Sequence, residues 1–368
     1  MLDELVTAER LRLPGSLDSV NQHFYEQGWT DGLPIVPPTE ERVARMLAFT
    51  DRAPDDVVGE VAPAWAPATV EAIAINAVMA GCEPSYLPVV ITAVEAITDP
   101  AFNLYSLQST TNPVAPALVI GGPIAAEIGV NSKGNCFGQG ARANATIGRA
   151  IRLIMLNVGG GLSPDMDKAT HGQPGKYSFC TGENEDDSPW PPLRTDFGFS
   201  PEVTTVTAMG IVHVTSILNY GSKTAEGLLH TFARSAAFPG IQNIQLGGGP
   251  VFCFAPEHAQ IMASQGFSKE DVRRYLYEHA RVPRSDFDPD VLSIVIQRRR
   301  PRWTRTISPQ SAIPIADDCS LIGIFVAGGP GLHSLIMPTY GEDTHLTCKA
   351  VVRRDGTPAK SIREFARE

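Results

Sequence analysis

The sequence predicts an α/β protein built in several lobes, on three observations. Helical repeats dominate the first hundred residues, short β-branched runs then alternate with helix-like segments, and three of those runs lead into Gly-Gly-Pro. A chain of 368 residues that is 43% hydrophobic can fill two or three cores. Composition divides it into an α-rich N-terminal lobe (1–105), a lobe with a glycine loop and the candidate active site (106–200), an α/β lobe (201–300) and a C-terminal α/β lobe (301–368).

Val20, Phe24 and Tyr25 repeat at helical spacing, and Gly28 ends that run. Pro37 and Pro38 remove two donors and hold Val36 extended, so the stretch from Trp29 is irregular. Thr39 offers an N-cap oxygen to a helix over 40–49. Two strongly apolar helical runs, 69–80 and 85–98, meet at Gly81-Cys-Glu-Pro84 and read as a buried helical hairpin.

Runs 117–123, 244–250 and 324–330 each read as a strand leaving through Gly-Gly-Pro, an exit that exposes backbone N–H groups to an anion. Their unequal spacing and unlike flanks disfavour a threefold repeat. Further strands are expected over 177–180, 204–209, 211–215, 251–254 and 346–352. Helices are expected over 143–157, 224–236, 256–265 and 269–281, the last opened by Ser268 with Asp271 at the capping-box position. The acidic, proline-broken stretch 186–193 reads as a loop over a site or between lobes. Gln297-Arg-Arg-Arg-Pro-Arg302 reads as a solvated face.

Thirty basic against 40 acidic residues give a formal charge of -10 without a basic stripe, so nucleic acid and anionic membrane are poor partners. The start, Met1-Leu-Asp-Glu-Leu5, is acidic and lacks an apolar signal core, and no stretch is long and apolar enough to span a bilayer. The six cysteines form no C-x-x-C pair, the pattern of a reduced compartment. These features predict a cytoplasmic homo-oligomer that takes a small-molecule substrate.

The chemistry concentrates between Asn131 and Trp190. Asn131, Gly138 and Gly140 belong to a glycine-rich polar loop that enters a helix, where amide donors and the helix dipole favour an anion. Arg142 and Arg149 on that helix are candidates for a carboxylate or phosphate clamp, against the plainer reading of an ion pair across a lobe interface. Cys180 stands at an expected strand end, and Lys176 or His171 folding back would depress its pKa and favour the thiolate nucleophile. Glu183 and Glu185 share one side of an extended chain, and Glu183 is the candidate acid or base. His333, just past a Gly-Gly-Pro exit, is a further substrate-binding candidate. No G-x-G-x-x-G or P-loop motif and no H-E-x-x-H occurs, so neither a nucleotide cofactor nor a resident metal is expected.

Four phrases resemble an uncharacterised bacterial group associated with UGSC-motif (seleno)proteins. They are Gly28-Trp-Thr-Asp-Gly-Leu-Pro-Ile-Val-Pro-Pro-Thr39, Ala80-Gly-Cys-Glu-Pro-Ser-Tyr-Leu-Pro88, Asn144-Ala-Thr-Ile-Gly-Arg-Ala-Ile-Arg-Leu153 and Pro256-Glu-His-Ala259. The resemblance draws attention to Cys82 as a second thiol; this chain has no U/C-Gly-Ser-Cys element, so the group's thiol-redox role does not carry over. Ser132-Lys133, Ser222-Lys223 and Ser268-Lys269 resemble the Ser-Lys elements of cyanuric acid hydrolases and barbiturases, but Ser268 is better explained as a helix cap.

The expected function is therefore a cysteine-dependent hydrolase or lyase, without a cofactor, acting at a carbon–heteroatom bond of a small polar or anionic metabolite. The alternatives are a metal-dependent lyase or hydratase using His333 with carboxylates, and a non-catalytic small-molecule binding protein.

Overall fold

Capping chemistry sets the first elements. The chain is a computed structural model that describes residues 8–13, 15–299, 301, 312–341 and 343–366; residues 1–5 at the acidic start, and Arg300 and Arg302 of the basic run, lie outside these. Helix α1 (Leu17–Glu26) is capped by Ser16 and α2 (Glu40–Leu47) by Thr39, each side chain accepting an orphan backbone N–H. Strands β1 (Val57–Val61) and β2 (Ala66–Thr69) form a small antiparallel ladder ahead of the helical hairpin. That hairpin consists of α3 (Val70–Ala80) and α4 (Leu87–Ile97). Thr69 caps its first arm, and Gly81 ends that arm at φ 89°, a left-handed conformation that favours glycine. The short α5 (Leu104–Gln108) follows.

Strand β3 (Ala115–Gly121) leads through α6 (Pro123–Glu127) and α7 (Arg142–Asn157) to β4 (Cys180–Gly182), which lies parallel beside it. Strand β5 (Thr205–Ile211) runs antiparallel on the other side of β3. After β6 (Thr215–Leu218) come α8 (Ala225–Ala236), α9 (Gln242–Leu246), β7 (Val251–Phe254), α10 (Pro256–Ser264) and α11 (Lys269–His279). Strands β8 (Arg281–Pro283) and β9 (Ala312–Pro314) pair around α12 (Pro289–Arg299). Then β10 (Gly323–Val326) joins β7 in parallel, and β11 (His333–Met337) joins it antiparallel. The last strand is β12 (Thr347–Ala350).

The two four-stranded sheets have the orders β12-β5-β3-β4 and β10-β7-β11-β6. Alternation along their strands sorts side chains into three cores. Leu118, Ile120, Val206 and Ala208 pack against α3, α4 and α7. Phe252, Phe254, Ile324 and Ile336 pack against α8, α10 and α11. The opposite faces meet each other, Ala117, Val119 and Met209 against Val251, Cys253 and Phe325. The chain is thus α/β, layered helix, sheet, sheet, helix.

The sheets repeat one plan. In each, a first strand is joined by helical crossover to a parallel second, and a third lies antiparallel to the first: β3, β4, β5 and β7, β10, β11. The fourth strands are exchanged. β6 follows β5 but pairs with β11, and β12 follows β11 but pairs with β5. Where the two connections cross, Ile211 bridges Thr339, Val212 N donates to Pro338 O at 2.9 Å, and Tyr340 N donates to Gly210 O at 3.0 Å. The segments 201–300 and 301–368 each supply strands to both sheets.

One of the three expected strand exits is different. Residues 242–246 are helical and Gly247-Gly-Gly-Pro250 leads into a strand instead of out of one. The glycines there answer to packing: a Cβ on Gly247 would stand 2.2 Å from Asp317 Oδ2, and one on Gly249 would stand 2.3 Å from Leu321 O. Nor is the basic run wholly solvated. Arg299 is fully buried, with Nε 3.0 Å from Asp317 Oδ1 and a terminal nitrogen donating to Pro314 O.

Candidate functional site

The thiol site expected from sequence does not assemble. Cys180 lies in β4 with its side chain in the core against α7, where a Cβ on Gly148 would be 3.2 Å from the Cys180 Cβ. Burial pushes this thiol well above the ordinary range, the reverse of the depressed pKa a nucleophile needs. Lys176 is committed elsewhere, its Nζ 2.5 and 2.7 Å from the two oxygens of Asp167. His171 is exposed. Cys82, the second thiol of interest, is also buried and is pushed up to about 12 by desolvation, opposed in part by a hydrogen bond from Thr146.

The arginines are structural as well. Arg149 makes a bidentate pair with Asp31 and also donates to Pro34 O, which fastens the N-terminal segment to α7. Arg142 pairs with Glu83 and donates to Gly81 O, bracing the turn after α3. Asn131 is spent on loop architecture. Its N–H donates to Asn144 Oδ1, its carbonyl accepts from Gly182 N, and its carboxamide binds Lys133 N and Gly134 O. Gly138 fits under the Asn135 carboxamide, and Gly140 takes φ 115° before a helix whose N-cap, Ala141, offers no side-chain oxygen. His333 is exposed on β11 opposite Leu218. The turn that leads into its strand meets the glycine loop, since a Cβ on Gly329 would stand 2.9 Å from Gly134 Cα.

The Gly-Gly-Pro exits do gather anions, but from within the chain. Gly122 N donates to Glu185 Oε1 at 2.6 Å, and Gly331 N donates to Glu257 Oε1 at 3.0 Å. Arg194, almost wholly buried, completes the first cluster by bridging both oxygens of Glu185 at 2.8 and 2.6 Å.

Glu183 behaves differently from its neighbour. It follows β4, and both its oxygens face a single donor, Leu193 N, at 2.8 and 2.9 Å. Burial pushes its pKa up to about 8, and the Glu185 charge adds to this, while the Leu193 bond, Lys269 and Arg194 oppose it. Burial therefore favours the protonated form of this carboxyl.

Leu193 is also a wall of a cleft of about 570 Å³. The other walls are the Leu193–Phe197 turn, the Gly248-Gly249 turn, the start of α11, the Cys319–Leu321 turn and Thr344 to Leu346. The capping box at Ser268 sets the first turn of α11 so that Lys269 and Arg273 both reach Asp196, each at 2.7 Å. Arg273 also donates to Ile322 O and Glu270, and Lys269 to Pro191 O. Behind the cleft, the buried Arg299–Asp317 pair holds the glycine turn through Gly248 N to Asp317 Oδ2 at 2.8 Å. Cys319, half-buried, is the thiol on the cleft wall, and burial raises its pKa, with Glu270 adding to the effect.

Sequence reasoning named Glu183 but not the cleft beside it. The signal available was Ser268-Lys-Glu-Asp271, a capping box that also carries the cation for Asp196. Among the described residues, no three His, Cys, Asp or Glu side chains come together so as to hold a metal ion, and no helix is long and apolar enough to cross a membrane. No protein-family model, no curated protein and no solved structure matches the chain.

Proposed function

We propose that the chain is an enzyme that binds a small polar metabolite in the cleft beside Leu193 and transfers a proton to it from Glu183. The observation that carries this reading is a buried carboxyl bonded to the amide of Leu193, a residue of the cleft wall, in surroundings that favour its protonated form. A buried acid of this kind suits protonation of a leaving heteroatom in hydrolysis or elimination. Glu183 does not itself line the cleft and both its oxygens lie against the Leu193 amide, so this reading requires the Leu193–Phe197 turn to shift before the proton can reach a ligand.

The cations at and behind the cleft wall, Arg273 and Lys269, favour a hydroxylated or amide-bearing metabolite over an anion. Arg273 and Lys269 are already satisfied by Asp196, Glu270 and backbone carbonyls, so a carboxylate ligand would have to break charge-assisted bonds to gain its own. The test is a pH titration of the protonated-carboxyl stretch by difference infrared spectroscopy, comparing the native chain with Glu183→Gln. A band lost near pH 8 in the native chain and absent from the variant supports the proton donor. Titration of Glu183 in the ordinary carboxylate range removes it. A thermal-shift screen of neutral hydroxylated metabolites against their carboxylate analogues then tests the substrate class.

A further inference from the structure

A second cavity lies far along the chain from that cleft, under the N-terminal segment. Residues 8–13 and 15–38 lie along α3 and α7, fastened by Arg149 to Asp31, by Val36 N to Met79 O at 3.1 Å, and by Ala8 N to Glu71 Oε1 at 3.1 Å. Between these fastenings Ile35 and part of Phe24 reach the helical core, and an open groove is left beside them. Helix α1 has an apolar face, yet none of its residues is buried. The space beneath is about 1020 Å³, at the upper end of small-molecule sites. Its walls are apolar: Val20 and Phe24 of α1, Trp29, Ile75 and Met79. Trp29 is held edge-on to Phe24 with ring centroids 5.4 Å apart, so this wall is preformed.

Two features fix the chemistry of an occupant's polar end. Asn76, 3% exposed, donates to Ala72 O and accepts from Asn157 Nδ2 at 2.7 Å; Asn157 Nδ2 also donates to Trp29 O. Both hydrogens of that amide are thus used, and the oxygen of Asn157, an exposed residue, is open to a donor from water or from a ligand. The rim carries Glu9, Glu40 and Glu41, against which Arg10 is paired with Glu40 at 3.3 Å. That charge balance repels a carboxylate and accepts a hydroxyl or ammonium group.

We infer that the space between α1 and α3 is a binding site for an amphiphile with an apolar chain and a hydrogen-bond-donating neutral or cationic head, such as a long-chain amine or alcohol. The apolar body replaces water against Val20, Phe24, Ile75 and Met79, and the head donates to Asn157 or meets the acidic rim.

The neutral fluorophore N-phenyl-1-naphthylamine tests the site on the full chain. Saturable binding is expected, with displacement by decylamine and decanol at concentrations at least about ten-fold below those of decanoate. Val20→Trp fills the space from a helix with no buried residue; it is expected to weaken probe binding by about ten-fold or more while leaving the unfolding midpoint unchanged. Any of four results overturns the inference: no saturable probe binding, decanoate competing as well as decylamine, Val20→Trp binding the probe normally, or probe binding lost as the chain self-associates in size-exclusion runs. The last would assign the apolar face to a second copy of the chain.

Discussion

Arg149 grips Asp31 through two hydrogen bonds of 2.8 Å, Nε to Oδ2 and a terminal nitrogen to Oδ1. The Asp31 side chain is 3% exposed, so removing its partner leaves a carboxylate desolvated and unpaired. Arg149→Ala is expected to cost about 3 kcal/mol in urea unfolding. It should also expose residues 15–38 to limited proteolysis. An unchanged unfolding midpoint would return Arg149 to the list of ligand-binding candidates.

Thiol reactivity should follow burial. At neutral pH, iodoacetamide is expected to label Cys319 and Cys348 first, and Cys82 and Cys180 only on unfolding. Peptide mapping after brief alkylation reads the order. Cys180→Ala should lower stability by about 1 kcal/mol through lost packing and leave any turnover intact.

The raised pKa of Glu183 makes stability depend on pH in a definite direction. Its folded value, about 8, lies above the ordinary 4.5, so the fold prefers the protonated form. That contribution is fully present below pH 4.5 and is lost as pH rises through about 8, at roughly 1.4 kcal/mol per unit of displacement. Urea unfolding across this window should show a fall in the native chain that flattens in Glu183→Gln.

His258 works with the opposite sign. It is buried, with Nδ1 2.8 Å from Ser334 Oγ and Nε2 3.0 Å from Asn219 O. Desolvation lowers its pKa, and His333 adds to this while the Asn219 bond and Glu257 oppose it. A depressed histidine stabilises above its ordinary value of 6.5 and loses that contribution as pH falls below it. Hydrogen exchange in α10 should therefore accelerate below pH 6.5, and this acceleration should vanish in His258→Gln.

Glycines that look alike in sequence should respond differently. Gly122→Ala would put a Cβ 2.6 Å from Thr204 Cα at φ 102°, and a loss of about 3 kcal/mol or more is expected. At Gly134, open space surrounds the position where a Cβ would stand, and alanine there should change the unfolding midpoint little.

Local chemistry was legible from sequence wherever a signal and its partner lie within one turn. Thr39, Ser268 with Asp271, and the apolar runs of the hairpin put α2, α11, α3 and α4 within a few residues of their places. What failed depends on partners far along the chain. Asp31 lies 118 residues from Arg149, and Glu185 takes up the Gly122 amide across 63 residues, so an apparent clamp and an apparent anion exit both proved to be internally satisfied. Cys180 and Thr181 face opposite sides of one strand, and alternation alone does not say which side a helix covers. Glu183 was legible as a carboxylate; its raised pKa comes from burial against the Leu193 turn, which sequence spacing does not reveal.

The exchanged edge strands set a timetable for synthesis. β5 is buried along its whole length, yet its outer edge is covered by β12, which the ribosome makes more than a hundred residues later. Until then a seven-residue strand rich in β-branched side chains has an unpaired edge in the nascent chain. The first sheet thus closes only after all four strands of the second have been made. Intermediates stalled before Thr347 are the species a holdase chaperone would be called on to shield.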